Sequence, residues 1–271
     1  MSKTNENTSE ETNWEKASLS NNFIFYKVMR SHPEECRHLI EMLLKIKIQS
    51  MEMHNEEIID LDHDAKGIRL DVYVKEPDRM YDIELQVLDT KELPERARYY
   101  AALMSLDTLK AGDNYRNLRD GHVIFICMED IFNDKLPVYT FENICTENGK
   151  TKLNDRDYKH FFIAPRCAKM IENDETRNFF DFLISNKAKN SFTSRLNEYV
   201  NDAKHNMQWR HEFMTYQRIK NYAYQDGRTQ KAIEAALLLI NDYKETPEAA
   251  AKKMNAPLEK VLEALMLCRQ G

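Results

Sequence analysis

Apolar and polar residues alternate through Ile68-Arg69-Leu70-Asp71-Val72-Tyr73-Val74 and again through Met80-Tyr81-Asp82-Ile83-Glu84-Leu85-Gln86-Val87. A period of two, carried by β-branched and aromatic residues, predicts two strands. Glu76-Pro77-Asp78-Arg79 between them has turn chemistry, so the pair should fold as a hairpin. His122 to Met128 is an almost unbroken apolar run, as expected of a central strand covered on both faces. Leu136 to Ile144 and Lys159 to Ala164 are further strand candidates, and Ile46 to Asp64 reads as a connector with room for one strand. Helical periodicity brackets these segments. Asn21 and Asn22 can cap a helix over Phe23 to Arg30, and Pro33 opens a second with Leu39, Ile40, Leu43 and Leu44 as its stripe. Pro94 starts a helix running to about Lys110 and stopped near Gly112. From Glu172 the pattern is helical throughout, over 172–187, 192–207, 208–225 and 228–243. Thr246-Pro247-Glu248 and Ala256-Pro257 then open two last helices.

This order predicts an α/β fold, a mixed central sheet flanked by helices with a helical C-terminal portion. The expected division is a disordered tail over 1–18, a core over 19–170, a helical extension over 171–226 and a small helical appendix over 227–271. The tail is rich in Asn, Thr, Ser and Glu and has no apolar period. No stretch is long and apolar enough to span a bilayer, and the start of the chain lacks a signal peptide's basic and apolar regions. A cytoplasmic protein is expected.

The five cysteines are scattered and never form a CxxC pair, and the eight histidines lack metal-ligand spacing. Unpaired thiols in a reducing compartment explain this better than disulfides or a zinc site. Net charge is −6, which at first disfavours a polyanionic partner. It is unevenly spread, however: residues 1–150 carry a net −10 and residues 151–231 a net +5. The basic stretch can supply phosphate contacts, although a solvated helical face would have the same composition.

The hairpin carries the chemistry. If its strands pair around Pro77, Asp71 and Glu84 come nearly opposite one another, with Gln86 pointing the same way. Two carboxylates so placed repel unless a cation lies between them, and oxygen donors of this kind suit Mg²⁺. The same pattern also describes solvent-facing acids on a half-exposed hairpin, and the residues alone leave both readings open.

The runs LSNNFIFYKVM, KGIRLDVYVKEPDRMYDIELQV, ERARYYAALMSLDTLKAGDNY, HVIFICMED and LPVYTFENIC, in this order and spacing over about residues 19–225, resemble the PD-(D/E)XK nuclease family of transposases, the Rpn-like recombination-promoting nucleases. The resemblance implies a restriction-endonuclease-like core and a metal-dependent DNA endonuclease that hydrolyses phosphodiesters. Its site would use Asp71, Glu84 and Gln86, with Asp71, Glu84 and the Leu85 carbonyl holding Mg²⁺, for which Mn²⁺ could substitute. Gln86 stands where the wider superfamily has Lys, and an amide carries no charge and cannot act as a base near neutral pH. Another cation must therefore offset developing charge. Arg98 is the candidate, with Arg96 and Lys75 behind it and Tyr99 positioning water or phosphate, although the same helix could simply pack Tyr100, Leu103 and Leu106. The family pattern often has Asp at Asn22, which can still cap a helix. Glu34, Glu35 and Glu41 read as surface charges.

DNA is the implied partner, a membrane is not expected, and a homodimer stays open. A DNA-binding or assembly module with a vestigial nuclease site is the alternative, favoured by the missing lysine. Thr246 to Leu265 resembles a helix-turn-helix, with Ala251, Asn255 and Val261 as small, turn and buried positions, but a helical pair that only packs has the same pattern.

Overall fold

A computed structural model describes residues 13–54, 58–59, 68–69, 72–88 and 90–268. They fall into two compact units, one over residues 15–206 and the other over residues 13–14 with 207–268.

The larger unit opens with α1 (Asn22–Ser31) and α2 (Pro33–Leu44). The Asn21 side chain accepts from the backbone N–H groups of Phe23 and Ile24, so Asn21 is the cap and Asn22 the first helical residue. Strands β1 (Glu52–His54), β2 (Ile58–Ile59), β3 (Ile68–Arg69), β4 (Val72–Lys75) and β5 (Arg79–Gln86) follow. Helix α3 (Leu93–Thr108), β6 (Asp120–Cys127), β7 (Val138–Phe141) and β8 (Asp157–Ile163) complete the α/β part. The unit ends with α4 (Ala164–Met170), α5 (Asp174–Ser185) and α6 (Ser191–His205).

Six strands form one sheet in the order β1-β4-β5-β6-β8-β7, while β2 and β3 pair separately. β5 runs antiparallel to β4 and parallel to β6, and β6 is parallel to β8, so the sheet is mixed. The apolar run over 122–128 explains why β6 lies in the middle: Val123, Ile124, Phe125, Ile126 and Cys127 are all buried, which requires cover on both faces. On one face, Leu93, Ala97, Tyr100, Ala101 and Met104 of α3 pack with Tyr73, Met80, Val123, Phe125 and Phe161. On the other, α1 contacts β4 and β5, and Phe162 stacks with Phe180 of α5 at 5.9 Å. The helical cover is also tied by charge. Arg195 of α6 grips Glu35 of α2 in a two-bond fork, Nε to Oε1 at 2.6 Å and Nη2 to Oε2 at 3.0 Å. Glu35, expected at the surface, is thus buried; Glu34 is exposed, and Glu41 accepts from the Ile48 N–H at 2.8 Å.

The smaller unit contains α7 (Met207–Tyr243), α8 (Pro247–Met254) and α9 (Leu258–Cys268). Two helices were expected where α7 runs unbroken. Gly227 lies inside it, and a lone glycine costs an exposed helix only about 1 kcal/mol without breaking it. Residues 13–16, expected within the tail, are helical, because Trp14 is fully buried with its ring 5.1 Å from Phe213. Residues 1–12 of that tail lie outside the described residues. Thr246 caps α8 through the Ala249 N–H. Asn255 turns the chain at φ 53°, a left-handed conformation that Asn tolerates. Ala250, Ala251 and Val261 then pack against Ile233 and Ala236 of α7.

Candidate active site

The β4–β5 hairpin forms as its alternation predicts. Val72 pairs with Ile83, Tyr73 with Asp82 and Lys75 with Met80. The turn is held from within: the Glu76 N–H donates to the Arg79 carbonyl, and the Tyr81 hydroxyl donates to the Glu76 carboxylate at 2.7 Å. Glu76 also accepts from the Gln49 N–H. Asp71 lies outside the described residues, although its neighbour Val72 is registered against Ile83, the residue before Glu84.

From Met80 to Gln86 every residue of β5 is buried, so Asp82, Glu84 and Gln86 are not the outward side of a half-exposed hairpin. They alternate with Tyr81, Ile83 and Leu85 and share the α3-facing side with Met80. Burying carboxylates there is costly unless positive charge meets them. Arg96 meets Glu84. Its Nη2 donates to Glu84 Oε2 at 3.0 Å and its Nη1 to Gln86 Oε1 at 2.8 Å. The Gln86 amide nitrogen donates in turn to the Leu88 carbonyl, which fixes the amide orientation. The guanidinium is braced from behind, where Nε and Nη2 both donate to the Tyr100 hydroxyl, at 3.1 and 2.9 Å. It also lies over the Phe125 and Tyr100 rings, 5.5 and 5.3 Å from their centroids. Burial, and then the negative Glu84 nearby, push the Tyr100 phenol well above its ordinary pKa, so it stays a neutral hydroxyl.

The remaining sequence candidates lie elsewhere. Arg98 and Tyr99 are exposed on α3, Tyr99 at 36%. Lys75 Nζ reaches Asp107 Oδ2 at 2.6 Å, an oxygen that also accepts from the Tyr73 hydroxyl at 2.9 Å. Leu85 is buried on the face away from Glu84 and is paired with Ile126. Sequence reasoning ranked Arg96 behind Arg98 and treated Tyr100 only as packing. Helical spacing carried the signal. Ala97, Tyr100, Ala101 and Met104 mark the buried face, Arg96 borders it one turn before Tyr100, and Arg98 is two residues further round. Asp82, paired with Tyr73 across the hairpin, is fully buried on the same face as Glu84.

A family model described as PD-(D/E)XK nuclease family transposase matches residues 21–231. The chain belongs to that family. The match takes in the sheet, all its flanking helices and the first two thirds of α7. Neither the curated proteins nor the solved structures compared with the chain contain a match. The mixed sheet flanked by helices, followed by a helical C-terminal region, is the α/β fold the family implies.

Nucleases of this family generally use divalent metals. Among the described residues no group of three or more His, Cys, Asp or Glu side chains could hold an ion. The Glu84 carboxylate and the Gln86 amide oxygen, which both meet Arg96, are hard oxygens, the type that Mg²⁺ or Mn²⁺ takes. In donor chemistry these oxygens suit such an ion. Among the described residues no helix is long and apolar enough to cross a membrane.

Proposed function

We propose that the protein is a Mg²⁺-dependent DNA endonuclease that hydrolyses phosphodiester bonds, with Mn²⁺ able to substitute. The observation that carries this reading is the Glu84–Arg96–Gln86 cluster on the central β5 strand of a PD-(D/E)XK family chain. Asp71, Glu84 and the Leu85 carbonyl would hold the ion. When bound, such an ion polarises the scissile phosphoryl group and lowers the pKa of a nearby water. The chain's own residues do the remaining work. Glu84 supplies negative oxygen on a strand too well packed to move, and Arg96 supplies the positive charge that Gln86 lacks. Gln86 and Tyr100 hold that guanidinium in place. Arg98, exposed on the same helix, would offset phosphate charge from the solvent side, with Tyr99 beside it positioning water or phosphate.

Plasmid nicking with Mg²⁺ tests the reading. Wild-type protein should cut, and Asp71→Ala and Glu84→Ala should each lose at least a hundredfold of that activity, the usual scale for removing a group that stabilises transition-state charge. Wild-type protein that leaves plasmid intact with both Mg²⁺ and Mn²⁺, or variants that cut as well as wild type, would refute it.

A second reading, a DNA-binding or assembly module with a vestigial site, is favoured by one contact: Arg96 already neutralises Glu84, as a purely structural ion pair would. It expects salt-dependent DNA binding that Mg²⁺ does not change.

A further inference from the structure

Helix α7 is packed only at its ends. Phe213 is buried with Trp14 near its start, and Ile233 and Ala236 are buried against α8 and α9 near its finish. Between them, residues 218 to 228 are exposed one after another, a bare rod about 16 Å long at 1.5 Å per residue. Helices in folded units normally hide one face, so a span solvated all round calls for an explanation.

Its charges are sorted around the axis. Lys220, Tyr224, Arg228 and Lys231 follow one another at i, i+4, i+8 and i+11 and therefore form one stripe, with Gln217 and Asn221 beside it. The acid of this span, Asp226, falls on the opposite side. Among the described residues, Arg218, Lys220, Arg228 and Lys231 enter no ion pair. Tyr224 is 64% exposed, and the Arg228 guanidinium lies 5.9 Å from its ring centroid, which holds both outward.

We propose that the exposed span of α7, from Gln217 to Lys231, is a binding helix for duplex DNA. Charge complementarity selects the occupant, because three cations on one stripe, none of them in an ion pair among the described residues, match a phosphate backbone. Shape agrees. A helix is about 10–12 Å across with its side chains and the B-DNA major groove is about 12 Å wide, so the exposed span can enter it. Gln217 and Asn221 place amide groups, which can both donate and accept, beside the cations and toward base edges. The proposal shares with the nuclease reading its nucleic-acid partner, but not its residues.

The test is fluorescence anisotropy of the full chain with a short labelled duplex in EDTA, across a salt series. The double variant Lys220→Glu/Arg228→Glu should bind at least about tenfold more weakly, and its plot of log affinity against log salt should be shallower by about two. Lys220→Gln/Arg228→Gln should lie between it and wild type, and carries the test if circular dichroism shows that the reversal pair has lost helix. Unchanged affinity and slope would overturn the proposal. So would a loss of affinity that coincides with a change from dimer to monomer on a sizing column, since the stripe would then be a self-association face. A chain that cuts plasmid but binds duplex independently of these residues overturns this proposal alone. One that binds through them but never cuts overturns only the nuclease reading.

Discussion

Arg96 Nη2 stands 3.0 Å from Glu84 Oε2, joining the first turn of α3 to the central strand β5. The Glu84 side chain is only 5% exposed and that of Arg96 28%, so the pair lies largely out of water. Removing the arginine alone would strand a buried negative charge, whereas removing both charges would not. Arg96→Met should therefore cost about 2–3 kcal/mol, the scale of hydrogen bonds to charged groups. Arg96→Met/Glu84→Gln should recover most of it. A double-mutant cycle by urea unfolding measures the coupling, and additive losses would show that the two residues act independently.

Arg96→Lys should fail as a replacement. The guanidinium donates to Glu84, Gln86 and Tyr100 together, and one ammonium cannot reproduce that planar spread. If the nuclease reading is right, plasmid nicking by this variant should drop by an order of magnitude or more while far-UV circular dichroism stays unchanged.

His122 and His160 predict an acid-sensitive fold. Their rings stack between β6 and β8, with Nδ1 of His122 3.1 Å from Nε2 of His160 and Thr140 Oγ1 3.2 Å from Nδ1 of His160. Burial, and then the neighbouring His160 and Arg79, lower the pKa of His122 to about 3; burial lowers that of His160 to about 4. Both are therefore neutral in the fold, while the unfolded chain protonates them near 6.5. Their contribution is complete above that value and is lost as pH falls from 6.5 toward the folded pKa values. Each histidine can remove up to about 1.4 kcal/mol per pH unit in that window. Urea midpoints at pH 7.5 and 5 should differ accordingly, and the difference should shrink in His122→Phe, which keeps the stack on Tyr81 and Tyr158.

Gly227→Ala should stabilise α7 by about 0.5–1 kcal/mol, because a Cβ there meets nothing within 4 Å and helix propensity rises. Thermal melting measures it, and no gain would mean that the bare span is not helical in solution.

Burial pushes the thiols of Cys36 and Cys167 up to about 12, so neither forms a reactive thiolate near neutral pH. Cys145 is partly exposed. Brief alkylation followed by peptide mass spectrometry should modify Cys145 well before the other two, and equal labelling would show that the core opens on that timescale.

Much of the architecture was legible from pattern alone. The hairpin around Pro77, the buried β6, the helix starts at Pro33 and Thr246, and the turn at Asn255 each follow from local rules: alternation, an apolar run, missing N–H donors and tolerance of positive φ. Five ordered blocks also pointed to the family that residues 21–231 match. Local rules failed where a distant partner decided the outcome. Trp14 became core because Phe213 was there to receive it, and Glu35 was buried because Arg195 reached it from α6. Gly227 did not divide α7, since nothing in the surrounding structure required a break.

The sequence by itself determined most of the strands and helices and which acids are candidates, because hydrophobic period and backbone preference act within a few residues. Only the tertiary structure decided that Arg96, not Arg98, meets Glu84. That choice depends on which side of α3 the sheet covers and on the Tyr100 and Phe125 rings that hold the guanidinium there. Electrostatic pairing inside a protein follows distance and burial, and both are set by packing between segments far apart in the chain.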